Sequence, residues 1–242
     1  MTTTAIVTGS TKGIGKATSM LLAKNGFNVV VCSRNQKNVE ETVNEMNSLT
    51  NKKGLVIGYK CDTSVPLDVE NIVKWTIDKF GTIDVLVNNA GIAVYKGLLD
   101  TTLDNWYNTI NINLTGCFLF CKYVLPYMIQ NNSGTIINIS SGAGKMGFPK
   151  LSAYCASKFG LMGFSESISK EVISKNIRVM VLCPGEINTD MLKDIVNAGF
   201  QLSNKREYLY QPEDVANKIF EMIKEPSIYK SGQVEEIYSG AR

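Results

Sequence analysis

The sequence of 242 residues contains no histidine, and this absence excludes more functions than any other feature of the composition. Hydrolysis by a Ser-His-Asp triad and proton transfer through imidazole both need that side chain. Most zinc sites and non-haem iron sites need it as a ligand. Any chemistry in this chain must therefore rely on tyrosine, lysine, serine, cysteine or carboxylate groups.

The six cysteines form no metal-ligating pattern either. None belongs to a C-x-x-C pair, and no histidine is present to complete a ligand set, so we expect no metal site. Most of the cysteines lie in apolar runs, where a thiol serves as a small hydrophobic group. Because free thiols persist in a reducing compartment, we expect a cytoplasmic protein.

Long apolar runs and a strong charge imbalance are also missing. No apolar run approaches the roughly 18–20 residues that span a bilayer, and the N-terminal segment MTTTAIVTG has no features of a signal peptide. The net charge of +3 is too small to indicate nucleic-acid binding, and the lysines at 74–79 are interleaved with an acid, as on a solvated surface. We therefore expect neither a membrane nor a nucleic acid as partner.

The sequence does contain short apolar runs that alternate with polar segments of helical period. The apolar runs are nearly continuous, as expected for strands that are buried on both faces of a parallel sheet. This alternation predicts a single α/β domain over 1–242, a doubly wound (Rossmann) parallel sheet of about seven strands with helices on both faces. The predicted strands are 4–7, 28–32, 55–59, 83–87, 135–139, 178–182 and a weaker one at 234–238; the predicted helices are 13–24, 38–49, 69–80, 105–130, 153–174 and 213–224.

One segment, 188–210, interrupts this alternation. It is polar and contains Gly199. Two interpretations remain open at this point: a mobile lid over a site, or a surface connection.

A glycine-rich loop follows the first predicted strand directly and opens the first helix. Residues 8–15 read TGSTKGIG, a G-x-x-x-G-x-G spacing that no G-K-[ST] sequence completes, so the loop is not a Walker A motif. Glycines at this place let backbone N–H groups approach a pyrophosphate at the positive end of the helix. The loop predicts a nucleotide-binding site made by Gly9, Ser10, Thr11, Lys12, Gly13, Ile14 and Gly15.

The end of the second predicted strand indicates which dinucleotide would bind. NAD-binding proteins often place a carboxylate there to hold the ribose 2′-hydroxyl, whereas this chain has Ser33 followed by Arg34. A hydroxyl and a guanidinium suit a 2′-phosphate, and Lys12 would add a second positive charge. We therefore predict NADP(H) as cofactor; the alternative is a solvated arginine at the end of a strand.

Tyr154 and Lys158 are the candidate proton-transfer residues. Their spacing of four places both on one face of a helix, and a nearby ammonium together with an oxidised nicotinamide would lower the pKa of the tyrosine. Such a tyrosine donates a proton to a carbonyl oxygen as hydride reaches the carbon, and takes it back in the reverse reaction. Y-x-x-x-K alone is common on helix surfaces, but Ser140 and Ser141 follow the fifth strand, at the edge where open α/β sheets bind ligands.

Taken together, the motifs resemble those of the short-chain dehydrogenase/reductase family in its compact single-domain branch. They are TGSTKGIG at 8–15, NNAG at 88–91, a serine 13 residues before the YCASK at 154–158, and PGEINT at 184–189. The resemblance covers nearly the whole chain. It implies a reversible NADP(H)-dependent oxidoreductase that reduces a ketone or an aldehyde, either a 3-oxoacyl compound or another carbonyl substrate, and a homodimer or homotetramer.

The resemblance also implies residue roles. Tyr154 would be the general acid/base and Lys158 its pKa-lowering partner, bound to the nicotinamide ribose as well. Ser141 would hydrogen-bond the substrate oxygen, and Asn113 would hold a water that relays protons to Lys158. The remaining cofactor contacts that it implies are Asp62 with Thr63 at the adenine, Asn88, Ala90 and Gly91 along the cofactor and the fourth strand, and Gly185, Ile187 and Thr189 at the nicotinamide carboxamide.

Several points depart from the family pattern or stay open. The C-terminal stretch 231–242 lacks the paired glycines of many members that reduce 3-oxoacyl chains on a carrier protein, which weakens that substrate and a tetramer. Glu186 would either meet a hydroxyl or amine of the substrate or point to solvent. Lys145 and Phe148 would line the pocket or its rim. The alternative functions are a non-catalytic dinucleotide-binding sensor or scaffold, and a dehydrogenase of small hydroxy acids, sugars or cyclic alcohols.

Overall fold

Seven parallel strands form one sheet in the computed structural model, which describes residues 2–50, 54–203 and 209–238. The strand order is β3-β2-β1-β4-β5-β6-β7, and every neighbouring pair is parallel. The doubly wound sheet predicted from the sequence is thus confirmed. The strands are β1 Thr4–Thr8, β2 Asn28–Ser33, β3 Val56–Lys60, β4 Val85–Asn88, β5 Gly134–Ile139, β6 Ile177–Pro184 and β7 Val234–Ile237.

Helices cover both faces of the sheet because successive strand residues point to opposite sides. Val29 and Val31 pack with α1, α2 and α8 in one apolar cluster, while Val30 packs with α3, α5 and α6 in another. The core therefore consists of two apolar layers that the sheet separates. The helices are α1 Gly13–Lys24, α2 Gln36–Leu49, α3 Pro66–Phe80, α4 Leu103–Ile110, α5 Gly116–Gln130, α6 Ser152–Val172, α7 Asp190–Asn197 and α8 Pro212–Lys224.

The predicted helix at 105–130 is one continuous helix that begins two residues earlier. A π-helical turn, Asn111–Thr115, joins α4 to α5. The whole helix, Leu103–Gln130, has 28 residues and contains a window of mean hydropathy 1.4, so by length and composition alone it could cross a membrane. No such segment was expected from the sequence. In this fold Phe120, Val124 and Met128 on it are fully buried against the sheet, so it packs as a core helix.

The segment 188–210 is partly helical, which its polar sequence did not predict. It holds α7, whose N-cap Thr189 accepts a hydrogen bond from the Leu192 amide at 3.4 Å. Farther along, Tyr210 forms an isolated parallel bridge with Ile187. Residues 204–208 of this segment lie outside the described part of the chain.

The strand order locates the site. β1 lies between β2 and β4, so the chain connections leave β1 and β4 in opposite directions. In open α/β sheets ligands bind in the crevice beyond the carboxyl ends of the strands at such a switch point. Three segments lie at this edge: the glycine loop after β1, residues 88–91 at the end of β4, and Ser140–Ser141 after β5.

Candidate active site

A cavity of about 1290 Å³ opens at the carboxyl edge of the sheet. It is larger than the roughly 300–1,000 Å³ of pockets that bury a drug-sized ligand, so it has room for a dinucleotide and a second molecule. The sequence-predicted residues that line it are Gly9, Thr11, Lys12, Gly13, Ile14, Ser33, Arg34, Thr63, Ala90, Gly91, Ser141, Tyr154, Lys158, Gly185, Ile187 and Thr189. The other five predicted residues are not part of this lining: Ser10, Gly15, Asp62, Asn88 and Asn113.

The glycine loop follows a path that requires glycine at its first position. Gly9 has a φ of +62°, and a Cβ there would lie 2.9 Å from the Ala90 Cα. Asn89, which sequence reasoning missed, fixes this approach because its Nδ2 donates to the carbonyls of Thr8 at 2.9 Å and Gly9 at 3.2 Å. The only sequence signal for Asn89 was its place inside NNAG.

Ser10 and Gly15 shape the loop from behind. The Ser10 hydroxyl accepts a hydrogen bond from the Cys32 amide at 2.8 Å, which ties the loop to β2. A Cβ on Gly15 would lie 2.4 Å from the Gly9 carbonyl oxygen. Glycine at this position therefore lets the first turn of α1 pack directly against the loop.

The side chains of Asn88 and Asp62 form hydrogen bonds within the protein, although the buried Oδ1 of Asn88 has no partner among the described residues. Asn88 is buried and donates to Asn138 Oδ1 at 2.8 Å, which braces β4 against β5. Asp62 Oδ1 accepts hydrogen bonds from the amide and hydroxyl of Ser64, the latter at 2.6 Å. Both residues therefore hold the edge of the sheet in shape.

The residues for the ribose corner lie at the end of β2. Ser33 is its last residue, and Arg34 and Ser33 both line the cavity. The Lys12 ammonium, expected to add a second positive charge at this corner, lies 3.9 Å from Asp190 Oδ2 at the start of α7. Both side chains are well exposed. Exposed ion pairs of this kind contribute at most about 1 kcal/mol, so Lys12 is free to exchange Asp190 for a ligand phosphate.

The segment after β6 crosses the cavity toward the glycine loop. The Gly185 amide donates to the Ile237 carbonyl at 2.8 Å, which ties this segment to β7. Thr189 then lies opposite the loop, since a Cβ on Gly13 would be 3.4 Å from its Cγ2. A ligand between the two segments would be held from both sides.

Ser141, Tyr154 and Lys158 meet at the carboxyl end of β5. Ser141 begins a short 3₁₀ turn, where its hydroxyl accepts from the Ala143 amide at 3.2 Å, and its side chain lies close enough to the Tyr154 phenol to lower the pKa of that group. Lys158 follows one turn along α6, with its Nζ 5.7 Å from the centroid of the Tyr154 ring. That ammonium donates to the Ile139 carbonyl at 2.8 Å and is 4% exposed.

Burial governs the ionisation of this group. It raises the pKa of Tyr154 above its ordinary value, although the Ser141 side chain acts in the opposite direction. Burial likewise lowers the pKa of Lys158. Burial is thus the largest cause acting on both groups, and the predicted lowering of the tyrosine pKa by an ammonium together with an oxidised nicotinamide stays a prediction.

Asn113 lies in the π-helical turn, where its carboxamide holds the chain beside Lys158. Its Oδ1 accepts from the Ile92 amide at 2.8 Å, and its Nδ2 donates to the Ile92 carbonyl at 2.9 Å and to Ser157 Oγ at 3.0 Å. π-Helical turns of this kind are frequent at functional sites. The side chain of Asn113 is therefore a brace between the segment after β4 and α6.

Glu186 lines the cavity and binds a partner that the sequence did not indicate. Its carboxylate accepts hydrogen bonds from the amide and the hydroxyl of Ser203, each at 2.8 Å. The reason is the fold of 188–203, which returns Ser203 to the end of β6. A contact with a hydroxyl or amine of the substrate stays a prediction.

Lys145 and Phe148 both line the cavity, and Lys145 forms an ion pair with Glu236 of β7. Phe148 belongs to a set of aromatic rings that sequence reasoning missed. Phe200 packs against Tyr95 with ring centroids 5.8 Å apart and against Phe148 at 6.4 Å. No motif contains Tyr95 or Phe200, so nothing in the sequence indicated that they meet.

Within the described ranges, no group of three or more cysteine, aspartate or glutamate side chains could hold a metal ion. The six cysteines are all buried as free thiols.

Comparisons with known proteins show the family of this chain. The model of the short chain dehydrogenase family matches residues 3–198. A 3-oxoacyl-[acyl-carrier-protein] reductase from Synechocystis is 39% identical over 238 residues, which are 98% of this chain and 95% of the relative. Carbonyl reductase family member 4 from Xenopus laevis is 36% identical over 240 residues, 99% and 98% of the two chains.

Solved structures extend this likeness to the fold. An actinorhodin polyketide ketoreductase variant with NADPH superposes with a TM-score of 0.90 at 29% identity, over 99% of this chain and 97% of the other. Levodione reductase superposes with a TM-score of 0.92 at 26% identity, over 98% and 96%.

Proposed function

Since the chain belongs to the short-chain dehydrogenase family and is an oxidoreductase, we propose that it is an NADP(H)-dependent reductase of ketones or aldehydes, reversible toward the alcohol. The observation that carries this proposal is that Ser141, Tyr154 and Lys158 line one cavity of dinucleotide size, with the Lys158 Nζ 5.7 Å from the centroid of the Tyr154 ring. A single NADP-binding domain over 1–242 is part of the proposal.

The proposed reaction uses these side chains in defined roles. Bound NADPH supplies the hydride. The Ser141 hydroxyl orients the substrate by a hydrogen bond to its carbonyl oxygen, and Tyr154 gives its phenolic proton to the same oxygen. In the reverse direction the Tyr154 phenolate takes the proton from the alcohol, and the positive charges of Lys158 and of the oxidised nicotinamide stabilise that phenolate.

The pH dependence of the reduction should reflect the pKa values of Tyr154 and Lys158. Reduction needs the protonated phenol of Tyr154 and the charge of Lys158. We therefore expect kcat/KM to be level near neutral pH and to fall on the alkaline side as the first of the two groups loses its proton, Tyr154 above its ordinary pKa of about 10 or Lys158 below its own ordinary pKa. Because the chain has no histidine, no imidazole titrates near neutral pH. The pH profile of kcat/KM with saturating NADPH tests this; a limb between about pH 6 and 8 that the substrate does not cause would contradict it.

Arg34 is the proposed 2′-phosphate ligand, because it follows β2 and lines the cavity where NAD-binding proteins often carry an acid. Arg34→Ala should raise the KM for NADPH about tenfold or more, the cost of one lost charge-assisted hydrogen bond, and leave the KM for NADH nearly unchanged. The matched control is Lys37→Ala, an exposed cation on α2 paired with Glu41. An unchanged ratio of the two KM values would remove Arg34 from the cofactor site.

The substrate is proposed as a 3-oxoacyl compound or another carbonyl, because the relatives are named 3-oxoacyl-[acyl-carrier-protein] reductase and carbonyl reductase. Oxidation of NADPH by the wild-type protein, followed by absorbance against a carbonyl panel, tests the proposal. A protein that binds NADPH but reduces none of these compounds would instead be a dinucleotide-binding sensor or scaffold. Oxidation of hydroxy acids, sugars or cyclic alcohols alone would favour the dehydrogenase alternative.

A homodimer or homotetramer in the cytoplasm completes the proposal. Aromatic side chains are exposed along the helix that α4 and α5 form and on α6, because these helices carry more apolar surface than one face of the sheet can cover. They are Trp106, Tyr107, Phe118 and Phe159. Helix-to-helix packing between copies would bury them. The six free, buried thiols suit a reducing compartment, and the net charge of +3 gives little attraction for nucleic acid.

A further inference from the structure

Glu186 lies two residues after Pro184, the last residue of β6. Its carboxylate binds Ser203, and this contact closes a loop of the chain. The residues are 17 positions apart, and both carboxylate oxygens are used: one accepts from the Ser203 amide and the other from its hydroxyl, each at 2.8 Å. Hydrogen bonds to an ionised carboxylate are roughly twice as strong as neutral ones. This pair, the Glu186–Ser203 clasp, fixes the end of the segment that contains α7.

Inside the closed loop, Phe200 is held between two rings from other parts of the chain. It meets Tyr95 nearly edge-on, at 86° and 5.8 Å, and Phe148 at 59° and 6.4 Å. The Tyr95 hydroxyl also donates to the Gly199 carbonyl at 3.5 Å. Gly199 has a φ of +104°, so the chain turns there by a conformation that favours glycine. We call Tyr95, Phe148 and Phe200 the aromatic wall.

The aromatic wall and Tyr154 pack in one apolar cluster, around Ala143, Leu151 and Cys155. Phe148 and Phe200 line the cavity, and Tyr95, which packs against Phe200, carries the Lys150 ammonium 5.5 Å from its ring centroid. An aromatic or apolar group of the substrate would gain contact with the two lining rings.

We propose that Glu186 is a positioning residue, which through Ser203 keeps Phe200 in the aromatic wall, and that this wall selects ketones carrying an aromatic ring or a comparable apolar group beside the carbonyl. This inference rests on the proposed function and names its substrate class. Glu186 lines the cavity, and in this proposal it acts through the position of Phe200.

Two ketones that differ only in the group facing the wall test the selection: propiophenone and butanone. Glu186→Gln keeps one acceptor oxygen and loses the other, so we expect the KM for propiophenone to rise about five- to tenfold relative to the KM for butanone. The KM for NADPH should change less than about twofold. Phe200→Ala should raise the same ratio at least as much. The matched control is Glu41→Gln, an exposed carboxylate on α2.

The serine end of the clasp offers its own comparison. Ser203→Ala removes the hydroxyl bond and should raise the KM ratio, while Ser203→Thr keeps a hydroxyl and should restore it. Since the two residues form one contact, Glu186→Gln combined with Ser203→Ala should cost little more than either change alone. Additive effects of the two substitutions would contradict the clasp.

Hydrogen exchange gives a readout that does not depend on activity. In Glu186→Gln the amide of Ser203 should exchange about tenfold faster than in the wild type, because a bond to the carboxylate protects it. If the wild type reduces no compound of the carbonyl panel but exchange still rises, the proposed function fails and the clasp stands. If it reduces other compounds of the panel but not propiophenone, the inferred substrate class fails while the function stands. If the wild type reduces both and neither the KM ratio nor the exchange changes, the inference is overturned while the function stands.

Discussion

Replacing Tyr154 by phenylalanine is expected to lower kcat for carbonyl reduction about 10³-fold, within the 10²–10⁴ that general acid catalysis contributes. The substitution removes one oxygen and keeps the ring, which is half-buried in the cluster with Ala143 and Leu151. The reacting carbonyl oxygen would then keep its hydrogen bond from Ser141 but have no proton donor. Steady-state rates of NADPH oxidation with saturating ketone measure the loss.

Two controls show whether this loss is chemical. The affinity of the Tyr154→Phe protein for NADPH, measured by fluorescence, should stay within about threefold of the wild type, since the phenol is only one contact among many. Tyr107→Phe, an exposed tyrosine on α4, should leave the rate unchanged. Equal rates of wild type and Tyr154→Phe would exclude Tyr154 as the general acid.

The fold could be predicted because its information is local in the sequence. All five residues of β1 are buried, and β5 is buried throughout, so both read as continuous apolar runs, the pattern of a strand covered on two faces. Prolines also mark boundaries: α3 and α8 each begin with one, one to three residues before the predicted start.

The catalytic candidates could be predicted for the same reason. Tyr154 and Lys158 are four residues apart on one helix, and Ser141 follows a strand that was itself evident. Side-chain pairs that the chain brings together from a distance could not be predicted. The carboxamide of Asn113 meets Ile92 across 21 residues, and Glu186 meets Ser203 across 17; no periodicity encodes either contact.

The ionisation of Tyr154 shows a contribution that spacing does not contain. Spacing alone indicates an ammonium beside a phenol, which favours the phenolate. In the folded chain, burial is the largest cause acting on each group, since it raises the pKa of Tyr154 and lowers that of Lys158. The degree of burial follows from tertiary packing, so the sequence did not indicate it.

Replacing Lys158 by methionine is expected to lower kcat/KM for reduction by about 10²-fold or more, while the free energy of unfolding changes by less than about 2 kcal/mol. The ammonium is 4% exposed, and burial lowers its pKa, so the charge costs the folded state free energy. Removing it relieves that cost and leaves the Ile139 carbonyl without its donor. These two effects oppose each other, which keeps the stability change small.

Activity and stability should therefore separate at this position. Urea unfolding and NADPH oxidation on the same samples measure both, with Lys122→Met, a lysine on α5 that lies over the Phe118 ring, as the matched control. A buried charge costs the folded protein free energy of desolvation. We expect such a charge where it serves the reaction, here by stabilising the Tyr154 phenolate and holding the cofactor. If Lys158→Met unfolded the protein but the folded fraction kept wild-type kcat/KM, Lys158 would be a structural residue and the proton-transfer pair would reduce to Tyr154 with Ser141.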